Sequence, residues 1–352
     1  MNKAYLIAAV LVAVLVVSGC TQVSTLTEAF KKLKALEEGP GYSVDYTMNF
    51  KMELNDQFKE AAKKDPEGAA GLAQLENQPP INLEISGAKK GDKEKSSVDV
   101  SGLSGQESLG VAALPFKKMI LYQDKNDVTI CLVTDKETTC TKATKDELAT
   151  KVPGLAQQIN SANQFSSQSP DKLLEGFKKL YDKGALKLGP QGKDTIIGRS
   201  CDRISYSVTD LAKLDGKEII SALGPLGSQL SSATGVPDEQ VEQAAFLLKQ
   251  IIKEVKQDFC LDKEHGLPLS STYSLQIDLS SLMKLIASGF GVSGDDATKD
   301  IPQGAGFTMV FTTTAKSFQT PVQESEFTLP QNAKVVPADQ ILEQVPELAT
   351  IK

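Results

Sequence analysis

The chain has 352 residues, of which 40% are hydrophobic and 24% charged, enough material for one large packed domain or two small ones. A net charge of −7 and a pI near 5.1 exclude the basic footprint that nucleic-acid binding requires. With no tryptophan and only 6% aromatics the chain has little from which to build a stacking platform for bases or sugars, and one histidine leaves general acid–base machinery short of parts.

At the N-terminus Lys3 is followed by an apolar run from Ala4 to Val17. It is shorter than the roughly 20 apolar residues a bilayer-spanning helix needs and fits the apolar core of a secretory signal. Val17-Ser18-Gly19-Cys20 comes next, small residues before a cysteine, with polar Thr21-Gln22 behind. This resembles the lipobox read by lipoprotein signal peptidases. The resemblance implies that residues 1–19 are a cleaved signal and that Cys20 is lipidated, becomes the first residue of the mature chain and anchors it to the outer face of a membrane.

An amphipathic helix is expected from about Ser24 to Glu38, with Leu26, Phe30, Leu33 and Leu36 on one face and Gly39-Pro40-Gly41 as its stop. From Ser43 to Leu54 apolar and polar residues then alternate without error. Val44, Tyr46, Met48, Phe50, Met52 and Leu54 share one face of a long strand, and that face needs an apolar cover. Residues 55–77 read as a charged helical insertion. Alternation resumes at Ile81, Leu83 and Ile85, then at Val98 and Val100, and strands are expected over Lys118–Gln123, Val128–Val133 and Glu137–Lys142, together an antiparallel meander.

Helices are expected over Lys145–Phe165 and Pro170–Lys183, then a strand over Thr195–Val208. Pro237–Gln257 carries the strongest helical stripe, with Val241, Ala244, Ala245, Leu248, Ile251, Ile252 and Val255 at helical spacing. A hairpin follows, Phe259-Cys260-Leu261 and then Leu267–Ile277. After it come a short helix near Leu282–Ile286, a strand over Phe307–Ala315, an edge segment at Phe327–Pro330 and a polar C-terminal helix from about Ala338. The domain reading is a signal at 1–19, one domain over 20–336 with helical insertions near 55–77 and 221–257, and a tail over 337–352.

Four cysteines remain once Cys20 is set aside. If a two-residue turn is centred on Asp135-Lys136, counting outward sets Cys131 opposite Cys140 at a non-hydrogen-bonded position, where Cα atoms lie about 4.5 Å apart. Elimination then joins Cys201 to Cys260. Disulfides point to an oxidising compartment outside the cytosol. No C-x-x-C spacing exists and the histidine is distant, so neither metal nor cofactor is expected.

The order of elements, the Phe-Cys-Leu-Asp-Lys-Glu-His-Gly-Leu-Pro-Leu hairpin from Phe259 to Leu269, and the closing Glu326 to Val335 segment resemble the LolA-like lipoprotein carriers. The resemblance spans most of Leu26 to Val336. It implies an α+β fold, an unclosed antiparallel β half-barrel whose concave apolar face is covered by helices. It also implies a hydrophobic cavity that takes acyl chains. Retained lipidation, added disulfides and the two insertions depart from the bacterial carriers, and the first of these fits the membrane-tethered relatives that bind lipids better than a free shuttle.

His265 lies in a Glu-His-Gly turn with no second histidine to complete a catalytic set, so binding and not catalysis is expected. The candidate cavity positions are Val44, Tyr46, Met48, Phe50, Met52, Leu83, Ile85, Tyr206, Tyr273, Leu275, Met309 and Phe311. A lipid or other lipophilic ligand is the expected partner, beside the membrane itself. The alternative is an envelope protein-interaction module whose core is filled and holds no small molecule.

Overall fold

The computed structural model describes residues 24–64, 80–103, 115–151, 178–216, 248–289 and 304–337, with a few isolated positions besides. Helix α1 (residues 24–38) opens the described chain. It leads into β1 (Tyr42–Leu54), α2 (Asp56–Ala62), β2 (Ile81–Lys90), β3 (Lys93–Asp99), β4 (Lys118–Asp124), β5 (Asp127–Val133), β6 (Thr138–Thr144) and α3 (Lys145–Lys151). The second half carries β7 (Leu186–Leu188), β8 (Gly192–Ile196), β9 (Arg199–Val208), β10 (Ile252–Asp262), β11 (Pro268–Asp278), α4 (Leu279–Gly289), β12 (Gly306–Gln319) and β13 (Lys334–Val335).

All 13 strands form one sheet in the order β13-β6-β5-β4-β3-β2-β1-β12-β11-β10-β9-β7, with β8 beside β9. Every pairing is antiparallel except β13 with β6. The two ends of the series do not meet, so the fold is an α+β, open half-barrel. Successive hairpins build each flank, and the two flanks join where β1 pairs β12.

Alternation gives the sheet one apolar face, and that face must be covered. Leu26 and Ala29 of α1 pack on Ile204, Phe259 and Leu261. Leu148 of α3 packs on Val128 and Ile130, and Leu282 of α4 joins the cluster that holds Tyr273 and Leu275. These helices therefore share one side, the inner face. Gly266 permits the close seat of α1: its φ is +73°, and a Cβ there would stand 2.0 Å from the Ala29 carbonyl oxygen.

After β12 the chain crosses the outer face as a strap. Val322 is buried, and its N–H donates to the Pro40 carbonyl at 3.3 Å. Glu324 accepts from Lys90 and Lys93, each at 2.8 Å, and Glu326 accepts from Lys95 at 3.0 Å. Ala333 then packs on the cluster that contains Cys131 and Cys140, and the Val336 N–H donates to the Cys140 carbonyl at 2.8 Å.

Three expectations are corrected. Pro237–Gln257 is not helical throughout, because β10 begins at Ile252. Ile252 and Val255 fit a helical stripe and a strand equally well, and pairing with β9 on one side and β11 on the other decides for the strand. Thr195–Val208 is not one strand: Ile197 (φ +48°) and Gly198 (φ +75°) turn the chain between β8 and β9. Phe327–Pro330 is no strand at an edge; a single helical turn occupies Glu324–Phe327, and the edge strand is β13.

The short helix near Leu282 extends over all of α4. The 145–165 helix is described only as α3, the 170–183 helix only at 178–182, and the 55–77 insertion chiefly as α2. The signal region, Cys20, the insertion before position 246 and most of the C-terminal tail lie outside the described residues.

Candidate functional site

Strand register assigns the inner face row by row. Tyr46 stands between Ile85 and Ala315, Met48 between Leu83 and Thr313, Phe50 between Ile81 and Phe311, and Met52 beside Met309. On the other side of β12, Tyr273 pairs with Phe311 and Leu275 with Met309. Beyond β2, Ile85 pairs with Val98, Val98 with Met119, and Leu121 with Ile130. The twelve candidate positions thus fall on one connected face, yet their burial divides them.

Over β9 to β12 the face is centred on a buried core with half-buried residues at its margin. Tyr273 and Leu275 are buried with Leu180, Leu214, Ile219, Ile251 and Val255, and Tyr206, Met309 and Phe311 pack against them. Over β5 and β6 a second core holds Val128, Ile130, Ala143 and Leu148. Between the two lies a strip that neither core covers fully: Tyr46, Met48, Phe50, Ile81, Leu83, Ile85, Val98, Met119 and Leu121 are all half-buried. Met52, at 39% exposure, is its most open member. Val44 is buried in a separate cluster with Cys201, Cys260, Leu267, Leu269 and Ala315, so it serves packing.

Ile81, Val98, Met119 and Leu121 belong to this strip without having been singled out from sequence. Ile81 and Val98 sit in segments already read as alternating. Met119 and Leu121 lie in the run Met-Ile-Leu-Tyr, where alternation is lost and only pairing with β3 and β5 fixes which side chain faces inward.

Polar side chains also fall on the face, Thr313 beside Met48, Ser271 beside Thr313 and Gln257 beside Tyr273. The Tyr46 hydroxyl donates to the Pro268 carbonyl at 2.9 Å, and the Tyr206 hydroxyl donates to Gln257 Oε1 on the paired strand. Burial pushes the hydroxyls of Tyr46, Tyr206 and Tyr273 well above the ordinary tyrosine range, which keeps them neutral. Thr141, paired with Ile130, is buried, and its Oγ1 lacks a hydrogen-bond partner among the described residues. Methionines and aromatics side by side give the strip an adaptable apolar surface.

The outer face differs in chemistry. A polar depression of about 200 Å³ lies there between the sheet and the strap, lined by Ser43, Asp45, Ser86, Lys95, Ser317 and Glu326 among others. Its carboxylates are already engaged, since Ser317 Oγ donates to Asp45 and Lys95 to Glu326.

Both disulfides form as the hairpin count and elimination require. Cys131 and Cys140 are directly paired with Cα atoms 4.0 Å apart, and Cys201 joins Cys260 at 5.3 Å. They fit a protein that lives in an oxidising compartment. His265 lies with its ring 5.4 Å from Phe318, and its backbone N–H donates to Asp262 Oδ2 at 2.9 Å. Among the described residues no helix is long and apolar enough to cross a membrane.

No family model matches the chain, and no curated protein does. Among solved structures it is similar to the Pseudomonas aeruginosa MucA/MucB complex at 10% identity and a TM-score of 0.34, over 88% of this chain and 63% of that one. It is also similar to a DUF1329 family protein from Desulfovibrio piger at 8% identity and a TM-score of 0.23, over 87% and 97% of the two chains. A third likeness, to PNGF-II, has 10% identity and a TM-score of 0.24 and covers 87% of this chain and 34% of that one. The chain spans less than two thirds of the first and third of these structures, and at such scores none of the likenesses carries an argument. The architecture rests on strand order and burial, and these make the chain an α+β protein built on an open antiparallel half-barrel.

Proposed function

We propose that this protein is an extracytoplasmic lipoprotein, anchored through Cys20, that binds a lipid or another lipophilic molecule on the inner face of its half-barrel. One observation carries the reading: a strip of half-buried apolar side chains, Met48, Phe50, Met52, Leu83, Ile85, Met119 and Leu121 among them, runs between two buried cores. Such a strip stays partly hydrated until something apolar covers it. At about 25 cal/mol per Å² of apolar surface removed from water, an acyl chain laid along it gains affinity without any specific polar contact. Binding, with no catalytic step, is the role proposed.

The test is extraction of the purified full chain with organic solvent and mass spectrometry of what is released, with titration of a fluorescent fatty-acid probe alongside. Co-purified lipid and saturable probe binding that weakens in Phe50→Ala and Met48→Ala are expected. An empty protein with no saturable binding overturns the reading.

A second reading, the envelope interaction module, is favoured by a specific feature. The β9–β12 half of the inner face is already packed by Leu214, Ile219, Ile251 and their neighbours, as a filled core would be. Copurification of a stoichiometric envelope protein by a chain free of lipid is the result that selects it.

A further inference from the structure

Four hairpin turns of the described sheet lie at the end where β1 starts: Gly91-Asp92 between β2 and β3, Lys125-Asn126 between β4 and β5, Ile197-Gly198 between β8 and β9, and the longer Lys263-Glu264-His265-Gly266 turn between β10 and β11, which is charged. The first two present a charged or polar side chain. The third presents Ile197, which is 39% exposed and holds φ at +48°. A β-branched residue in the left-handed region is strained, and Asn-Gly or Asp-Gly is the pair such two-residue turns favour. Isoleucine is thus the wrong residue there both for the backbone and for water.

The base of this hairpin is braced. Arg199 donates to both carboxylate oxygens of Asp262, at 3.0 and 2.9 Å, and to Glu264 at 2.8 Å. Its guanidinium also lies 4.8 Å from the Phe318 ring. The Lys263 N–H donates to the Ser200 carbonyl at 3.1 Å, and the Cys201–Cys260 disulfide follows directly.

The same end of the sheet receives the N-terminal segment. Helix α1 is tied across it by three contacts: Ala29 against Gly266, Lys32 Nζ donating to the Lys263 carbonyl at 2.7 Å, and the Gly91 N–H donating to the Glu37 carbonyl at 2.7 Å. From Cys20 to Ser24 the chain reaches at most about 14 Å when fully extended. A bilayer holding a lipid on Cys20 is therefore held within about 14 Å of the first residue of α1, the helix that crosses this end.

We infer that the Ile197-Gly198 tip is a second membrane contact, an apolar prong that enters the bilayer to which the lipid on Cys20 tethers the domain. The inference rests on the proposed anchoring at Cys20. Together the two contacts fix the orientation of the half-barrel over the membrane, where the lipid alone leaves it free to swivel.

The absence of tryptophan from the chain makes the test direct. Full-length protein carrying Ile197→Trp is reconstituted into phosphatidylcholine–phosphatidylglycerol vesicles, with and without brominated acyl chains. The comparison is Lys136→Trp, in the β5–β6 turn at the opposite end of the sheet. A blue-shifted emission quenched by bromolipid at position 197, with water-like emission at 136, is the expected result. Water-like, unquenched emission at 197 in vesicle-bound protein overturns the inference.

Ile197→Asn supplies a second readout. It should leave the melting temperature unchanged or raised while the lipidated chain transfers between vesicles about fivefold to tenfold faster. An unchanged transfer rate counts against the prong. Mass analysis of the N-terminal peptide separates the two layers: absence of lipid on Cys20 removes the anchoring reading itself, whereas lipidated protein with a dry, unquenched tip removes only the prong.

Discussion

The rings of Phe50 on β1 and Phe311 on β12 lie 4.8 Å apart, at the line where the half-buried strip meets buried core. Leu275, one strand farther over and 5% exposed, belongs wholly to that core. Truncation should separate the two roles. Leu275→Ala should cost about 3 kcal/mol of stability, as a cavity in packed surroundings does. Phe50→Ala should cost less, about 1 to 2 kcal/mol, yet weaken apolar-probe binding severalfold. Urea denaturation and probe titration on the same samples check both.

Stability should fall in alkali. Tyr42, Tyr46, Tyr206 and Tyr273 are held above their ordinary value by burial first of all, so the folded protein keeps its phenol protons where the unfolded chain has lost them. Above about pH 10, where free tyrosine ionises, the unfolded state binds fewer protons and stability declines as pH rises; below that pH these groups contribute no slope. Melting temperatures from pH 8 to 11.5 should be flat and then drop. Tyr206→Phe should make the drop shallower, although it also leaves Gln257 without its hydroxyl partner.

The two disulfides should differ in worth. By loop-closure entropy, the cross-link between Cys201 and Cys260, 59 residues apart, stabilises by about 4 kcal/mol, and the one between Cys131 and Cys140, 9 residues apart, by about 2.5 kcal/mol. Paired Cys→Ala variants measured in urea should rank in that order. The reverse order would mean that the unfolded chain is not the main target of the cross-links.

Thr141→Val should stabilise the protein, by about 1 kcal/mol, because it replaces a buried hydroxyl that lacks a partner with a methyl group of similar size. A loss of stability measured by thermal melting would mean that the hydroxyl is satisfied by a bound molecule.

Much of the half-barrel was legible because amphipathic strands announce both their conformation and their facing. The Ser43–Leu54 alternation reappears as β1, and the outward count from Asp135-Lys136 reproduces the pairing of Cys131 with Cys140. Legibility failed where one pattern serves two structures. Ile252 and Val255 satisfy a helix locally, and only pairing with β9 and β11 makes the segment β10. The Ile197-Gly198 turn was hidden because isoleucine is a strand former with no turn signature. The division of the inner face into core and strip was likewise invisible. Val44 and Met48 sit two rows apart on one strand, and what separates them is cover supplied by Leu267, Leu269 and Ala315.

β1 takes β2 on one side and β12 on the other, and the second pairing joins Ser43 to Gln319 and Leu54 to Phe307. A chain that emerges N-terminus first therefore completes one flank of its sheet by local hairpins, while the other edge of β1 waits for nearly the whole polypeptide. Contacts of such long sequence separation close slowly. While the chain folds, then, the open edge of β1 is the place where it is most exposed to pairing with the wrong strand, and where a folding helper would have most to protect.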